Sequence, residues 1–264
     1  METYLIAVVL GIVEGLTEFL PISSTGHLIL AEQLLGVHGP LWETLEIMIQ
    51  LGAILAVVCL YFRKLWSTLV TLPSDPRSRQ FAAVILAALV PSLVLGALFG
   101  SRIKALLFNS ATVGVTLILG GLVILLVERS SRAIRFRSVD DVPLRTGILI
   151  GLAQAVSMIP GTSRSGATII GGLLLGLDRR AATEFSFFLA IPTMAAAFAY
   201  EAYKARDSLD FSSAGLVAAG FVAAFVSALV IVRPFLEFVA RVGFAPFAYY
   251  RVGLGTLVLT LLFV

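Results

Sequence analysis

The chain has 264 residues, of which 59% are hydrophobic and only 13% are charged, with a net charge of +3 and a mean hydropathy of +1.01. A soluble domain of this composition would aggregate, and the absence of alternating apolar and polar residues excludes a transmembrane β-barrel. The composition therefore predicts an all-α polytopic membrane protein. No run of charge is long enough to bind nucleic acid, so we expect no nucleic acid partner.

Six apolar runs are each long enough to cross a bilayer as a helix. They lie at about 43–62, 80–100, 111–127, 184–203, 213–232 and 247–264. Two further stretches, at about 4–36 and 145–177, are interrupted by Pro21 and Pro160. Each is either a span plus a separate helix or a re-entrant helix–loop–helix hairpin, because broken backbone at membrane depth must be buried in protein or line a cavity.

The distribution of basic residues favours two re-entrant hairpins. In that arrangement 13 of the 19 lysines and arginines fall on one side, four fall on the other, and two lie within membrane segments. The first group lies in the connections 63–79, 128–145, 178–183 and 233–246. The others are Arg102, Lys104, Lys204 and Arg206 on the opposite side, and Arg164 and Arg251 within the membrane. The positive-inside rule then places the first group in the cytoplasm and both termini outside.

A weak internal repeat surrounds the two interruptions. Residues 11–21 resemble residues 151–160, with Glu14 opposite Gln154, and the polar turn after each proline ends in a glycine.

Each half of the chain then supplies one hairpin and three spans, an odd number of crossings, so the halves should be inverted. We predict a single membrane domain, 1–264, whose first repeat is 1–128 and whose second is 145–264. The two hairpin tips would meet near the midplane, as in many transporters.

Two glutamates at membrane depth, Glu14 and Glu18, are four residues apart and should share one helix face. A solvated helix face would also place them so, but their neighbours are apolar. Adjacent carboxylates repel at low dielectric, and a hard divalent cation, Mg²⁺ or Ca²⁺, would relieve the repulsion. We therefore predict that they are metal ligands. Gly11 and Gly15, on the same segment, indicate close helix packing.

A run of hydroxyl residues follows Pro21, which we expect to end the first helix. A second helix should begin near residue 24, capped by a serine. Hydroxyls and free N–H groups at a helix start suit a phosphate, although capping alone would also explain them. We predict His27 to be catalytic because it follows the carboxylates and hydroxyls closely. The hydroxyl and glycine residues of this run are Ser23, Ser24, Thr25 and Gly26.

The second interruption carries a glycine-flanked hydroxyl loop with one arginine. Its spacing resembles a P-loop, but Ala167 stands where the P-loop requires lysine, so it is not a Walker A motif. The fork of Arg164 suits bidentate phosphate binding. Its partner should be Glu14, Glu18 or a ligand phosphate, and a purely structural Arg–Glu pair is the alternative. The other residues predicted to bind substrate are Thr162, Ser163, Ser165 and Gly166.

Together the two segments indicate phosphoryl chemistry, which depends on positioning and charge neutralisation. Ser24 could be a nucleophile activated by His27 or by a glutamate, or a metal-activated water could attack. The residues leave this choice open.

At these residues the chain resembles the bacterial undecaprenyl pyrophosphate phosphatases, the bacitracin-resistance family. The family segment E-G-x-T-E-F-x-P-[IV]-S-S-T-G-H is present at 14–27 and P-G-x-S-R-S-G at 160–166, and the resemblance continues through 50–53 and 247–253. It implies a multi-pass plasma-membrane enzyme that removes the terminal phosphate of a C55 polyprenyl diphosphate to recycle the carrier lipid for wall synthesis. It also implies divalent-cation dependence and an outward-facing site. The residues to which it gives catalytic roles are Glu14, Glu18, Ser24, His27 and Arg164.

Two other functions compete with this one. A lipid or anion transporter or flippase would use the same inverted repeats and an anion clamp, but would not need a histidine beside two carboxylates. A type-2 phosphatidic acid phosphatase needs a histidine after the arginine, whereas His27 and His38, the only two, both precede Arg164. The oligomeric state, including a homodimer, is left open.

Overall fold

The computed structural model describes residues 1–130, 133–205 and 213–262. These residues form α-helices joined by short turns, with two 3-10 turns at Val139–Asp141 and Val156–Met158. The helices are α1 (Glu2–Thr17), α2 (Ser24–Leu35), α3 (Pro40–Leu60), α4 (Phe62–Thr71), α5 (Pro76–Leu107), α6 (Ser110–Arg129), α7 (Leu144–Ala155), α8 (Arg164–Leu174), α9 (Arg179–Ala205), α10 (Ala214–Arg241) and α11 (Ala245–Leu261).

Among the described residues, five helices are long and apolar enough to cross a membrane: α3, α5, α6, α9 and α10. The sixth predicted span corresponds to α11, which has 17 residues. Large apolar side chains on these helices face outward, for example Leu98 at 65% exposure and Leu126 at 70%, as lipid contact requires. The prediction of an all-α polytopic membrane protein is confirmed.

Several predicted connections are wrong because the helices extend into them. The predicted connection 63–79 contains most of α4, and 178–183 contains the start of α9. Helix α10 extends into the predicted connection 233–246 and ends at Arg241. Apolar runs end where charged residues begin, but a helix needs only one apolar face to continue. Arg132, Arg206 and residues 263–264 of the last predicted span lie outside the described residues.

Helix α4 carries its exposed apolar side chains on one face. Phe62, Trp66, Leu69 and Val70 recur at helical spacing, and each is more than half exposed. On another face, Lys64 pairs with Asp140 at 2.5 Å. This pattern is typical of a helix that lies along the membrane surface.

Both interrupted stretches fold as two helices separated by a polar tip. We call residues 18–23 the first tip and residues 159–163 the second tip. Each tip ends in a serine with positive φ, Ser23 at 69° and Ser163 at 74°. Each serine Oγ accepts a hydrogen bond from a glycine N–H three residues later, Gly26 at 3.3 Å and Gly166 at 3.1 Å. These capping hydrogen bonds offset the strain of the positive φ. In many proteins such strained backbone is concentrated at functional sites.

The first helix ends earlier than predicted, at Thr17 rather than at Pro21. Proline disfavours helical backbone in the residue before it, so the chain leaves the helix ahead of the ring. Glu18 still has helical dihedrals, and its N–H donates to the carbonyl of Glu14 at 2.9 Å. The two glutamates therefore remain one helical turn apart, as predicted.

The hairpins pack on spans of the opposite half of the chain: α1 lies along α10, and α7 lies along α5. A Cβ atom at Gly11 would collide with the carbonyl of Gly220, and one at Gly151 with the carbonyl of Ala88. Gly15 meets α10 in the same way, so the predicted close packing of these glycines is confirmed. Such reciprocal pairing is what exchanged inverted repeats would produce. The repeats 1–128 and 145–264 stay a prediction.

An aromatic core supports the first tip. Phe19, fully buried, meets the ring of Phe187 edge-on with centroids 5.5 Å apart. Phe187 in turn lies near Tyr61 and Phe235. The residue between α3 and α4, together with helices α9 and α10, thus holds the chain next to Glu18 in place.

Candidate active site

The two polar segments lie in contact, although about 140 residues separate them. Ser165 Oγ donates a hydrogen bond to the carbonyl of Leu20 at 2.7 Å. Arg164 Nη2 donates to Glu18 Oε1 at 3.0 Å. The predicted meeting of the two segments is therefore confirmed.

Glu18 connects the hydroxyl segment to the arginine. One carboxylate oxygen accepts from Arg164, and the other accepts a hydrogen bond from Ser24 Oγ. The side chains of Arg164 and Glu18 are only 13% and 9% exposed. Of the partners predicted for Arg164, Glu18 is the one observed. Ser24 itself is the first residue of α2, where the leading N–H groups have no partner within the helix.

One guanidinium nitrogen of Arg164 has no hydrogen-bond partner among the described residues. Its Nη1 donates to the carbonyl of Ser186 at 2.9 Å, which fixes the guanidinium against α9. Its Nε is buried and has no hydrogen-bond partner in the part of the chain that the structure describes. A buried donor without a partner is unfavourable, so this nitrogen indicates a place for an anionic ligand.

Glu14 is fully buried, and neither of its carboxylate oxygens has a hydrogen-bond partner among the described residues. An isolated buried carboxylate is strongly unfavourable unless a cation compensates its charge or the group takes up a proton. Those residues contain no cluster of three or more His, Cys, Asp or Glu side chains. The donor set is therefore two carboxylates, which fits Mg²⁺ held by one or two carboxylates and completed by phosphate oxygens and water.

A cavity of about 200 Å³ opens between the two tips. It has room for roughly six water molecules, enough for a phosphate group. Both tips and the helices that follow them line its polar part with Glu18, Ser23, Ser24, Thr25, Ser163 and Arg164. The apolar part of its wall includes Phe108, Met158, Met194 and Ala197, and Gln50 also faces it.

Several predicted site residues lie outside the wall of this cavity. Glu14 and His27 are among them. Four predicted substrate ligands also lie outside it, and the contacts they make hold the tips in shape: Gly26, Thr162, Ser165 and Gly166.

His27 has partners at both ring nitrogens. Nδ1 lies 2.7 Å from the carbonyl of Ser23, so it must carry the proton. Nε2, 2.6 Å from the hydroxyl of Tyr250, then accepts that hydrogen bond. The two rings are nearly parallel, with an interplanar angle of 4°. In this geometry the hydrogen-bond partner of Ser24 is Glu18 rather than His27.

Sequence reasoning missed two residues of α11, Tyr250 and Arg251. Arg251 is fully buried, and its guanidinium donates five hydrogen bonds to backbone carbonyls of both tips and of α6. Its position inside an apolar run was the available signal, because arginine within a membrane segment indicates function. Tyr250 gave no such signal, since a tyrosine in an apolar helix is ordinary.

The comparisons with known proteins cover nearly the whole chain. The family model for bacitracin resistance protein BacA matches residues 7–257. Undecaprenyl-diphosphatase of Caulobacter vibrioides (strain NA1000 / CB15N) is 49% identical over 265 residues, spanning 100% of this chain and 99% of the relative. Undecaprenyl-diphosphatase 2 of Paramagnetospirillum magneticum is 50% identical over 256 residues, spanning 97% and 98%. Because these matches include both tips and the helices that carry them, the chain belongs to the BacA family of bacitracin resistance proteins.

Proposed function

We propose that this protein hydrolyses undecaprenyl diphosphate to undecaprenyl monophosphate and inorganic phosphate, and so recycles the carrier lipid of cell-wall synthesis. The observation that carries the proposal is the hydrogen-bonded series Ser24–Glu18–Arg164 at the edge of the phosphate-sized cavity. The names of the relatives, undecaprenyl-diphosphatase, support the choice of substrate.

Ser24 is the proposed nucleophile and Glu18 its general base. As Ser24 Oγ attacks the terminal phosphorus, its proton passes to the carboxylate that already accepts its hydrogen bond. The bond between that phosphorus and the bridging oxygen breaks, and the lipid monophosphate leaves with the proton from Glu18, which returns the carboxylate to its charged form. Water then attacks the phosphoserine, and its proton returns through Glu18 to Oγ, which regenerates the serine.

Positive charge converges on the cavity from several sources. Helices α2 and α8 both begin at its wall, with Ser24 and Arg164 as their first residues. Their free N–H groups and positive ends favour a bound phosphate. Together with the unused Nε of Arg164, they would stabilise the charge on the transferred phosphoryl group.

Glu14 and Glu18 would hold a divalent cation, Mg²⁺ or Ca²⁺. Bound there, the cation supplies positive charge to the phosphate oxygens of the substrate. The unpartnered carboxylate of Glu14 supports this assignment.

The surroundings of the cavity suit a lipid substrate that reaches the site from the outer side of the membrane. Phe108, Met158 and Met194 provide an apolar wall beside the polar tips, next to which the first isoprene units would lie. The 13-to-4 distribution of basic residues supports a site that faces outward.

Phosphate release by purified protein tests the function. We expect release from undecaprenyl diphosphate by the wild type and by Ser67→Ala, an exposed serine of α4, but not by Ser24→Ala. Substrate labelled in its terminal phosphate should leave label on Ser24 after rapid acid quenching. Release without label on the protein would favour a metal-activated water. Movement of the lipid across vesicles without any release would favour the transporter.

A further inference from the structure

Arg251 has an arrangement that the proposed catalytic steps do not use. It is fully buried, and no carboxylate lies within ion-pair distance of it among the described residues. A buried arginine is tolerated only when its donors are satisfied. Here all five of its hydrogen bonds go to backbone carbonyls.

Three of these carbonyls belong to the tips. Nη1 donates to Pro21 and to Thr162, each at 3.0 Å, and Nη2 donates to Gly161 at 3.0 Å. One nitrogen thus joins the first tip to the second. Because the helices are broken at the tips, these carbonyls have lost the partners that a continuous helix would provide.

The remaining donors attach the guanidinium to α6. Nη2 donates to the carbonyl of Thr116 at 3.1 Å and Nε to that of Leu117 at 3.3 Å. A Cβ atom at Gly120 would lie only 2.7 Å from Cζ of Arg251, so the glycine leaves room for the guanidinium. Thr116 Oγ1 also donates to the carbonyl of Pro160 at 2.6 Å. Helix α6 is therefore the support against which both tips are held.

The geometry assigns Arg251 as a positioning residue that fixes the two tips relative to each other and thereby aligns Arg164 with Glu18. Pro21 lies three residues from both Glu18 and Ser24, and Thr162 lies two residues before Arg164. Arg251 does not line the cavity, so it acts through the tips rather than on the phosphate. Its kinetic consequence rests on the proposed phosphatase function.

Lysine cannot replace arginine here. An ammonium has three donors on one atom, whereas the guanidinium spreads five donors across a rigid plane. We expect Arg251→Lys to lower kcat by roughly a hundredfold, the effect of misplacing catalytic groups by about 1 Å, with KM changed much less. Arg241→Lys, at an exposed arginine of α10, is the matched control and should behave as wild type.

A double-mutant cycle separates positioning from stability. If Arg251 acts through Arg164, then Arg251→Lys should add little to the loss already caused by Arg164→Lys. If the double variant loses kcat by the product of the two single losses, the proposal is overturned. A raised KM with unchanged kcat in Arg251→Lys would also overturn it, because it would mean that Arg251 binds substrate itself. If Arg251→Lys does not fold, Gly120→Ala, which displaces the guanidinium without altering it, must show the same coupling.

Spin labels give a readout that does not depend on activity. Cysteines replacing Leu34 at the end of α2 and Leu174 at the end of α8, both exposed, would be labelled in a Cys59→Ser background. The distribution of distances between the two labels should be narrow in the protein with Arg251 and broad in Arg251→Lys. An unchanged distribution would overturn the proposal. Broadening in a protein whose wild type releases no phosphate would refute the phosphatase function but support the role of Arg251.

Discussion

Ser24 Oγ donates a hydrogen bond to the carboxylate of Glu18, which lies six residues earlier and across the break between α1 and α2. The second oxygen of the same carboxylate accepts from Arg164. Arg164 balances the charge of the Glu18 carboxylate before the reaction, and this carboxylate is placed to take the serine proton. This contact favours glutamate over His27 as the group that activates Ser24.

Glu18→Gln should lower phosphate release by more than about a hundredfold, because an amide neither accepts the serine proton nor balances the charge of Arg164. The measurement is kcat/KM on a polyprenyl diphosphate. Glu2→Gln, at an exposed position of α1, should leave it unchanged. Near-normal turnover in Glu18→Gln would exclude Glu18 as the base.

Arg164→Lys should raise the activation free energy by about 3 kcal/mol and so lower kcat/KM roughly a hundredfold, although the charge is kept. A lysine cannot hold Glu18 and the carbonyl of Ser186 and also present a donor to phosphate. Arg180→Lys, at an exposed position of α9, is the matched control. Wild-type turnover by folded Arg164→Lys protein would show that the two tips do not form one active site.

His27→Ala should reduce activity severely, because it removes both the ring that the sequence predicts to be catalytic and its hydrogen bond to the carbonyl of Ser23. Tyr250→Phe removes only the hydroxyl that bonds to Nε2, so a smaller loss is expected, roughly fivefold for a hydrogen bond of about 1 kcal/mol. Tyr249→Phe and His38→Ala are exposed controls and should be neutral. Equal kinetics for Tyr250→Phe and Tyr249→Phe would mean that the hydroxyl does not position His27.

Chelator should stop phosphate release, and Glu14→Gln should remove the response to metal. Without metal, this variant should unfold at a higher temperature than the wild type, because it no longer buries an unpartnered carboxylate. Mg²⁺ or Ca²⁺ should raise the unfolding temperature of the wild type and of Glu43→Gln, an exposed control on α3. Equal stabilisation of Glu14→Gln by metal would remove Glu14 from the metal site.

The orientation in the membrane can be tested by cysteine labelling in a Cys59→Ser background. An impermeant reagent added from outside should label a cysteine replacing His38 but not one replacing Arg137, both of which are exposed. The expectation follows from the excess of basic residues on the side of Arg137. The opposite labelling pattern would invert the topology and place the active site toward the cytoplasm.

The sequence by itself determined the class of protein, the places where the helices break and most of the chemical groups at the site. These features are local: a long apolar run must become a helix in the membrane, and proline with serines and glycine must interrupt it. The pairing of Glu18 with Arg164 was also within reach, because a buried arginine needs an anion and few anions lie at that depth.

Only the tertiary structure decided how far the helices extend and which groups meet across the chain. Helix α4 was not predicted from the sequence, because charged residues interrupt its apolar pattern and only one of its faces is apolar. The contacts of His27 with Tyr250 and of Arg251 with Pro21 join residues more than 200 positions apart. Such pairs arise from the packing of α11 against α6. The partners of Arg251 are backbone carbonyls, so the sequence contains no complementary side chain from which its contacts could be predicted.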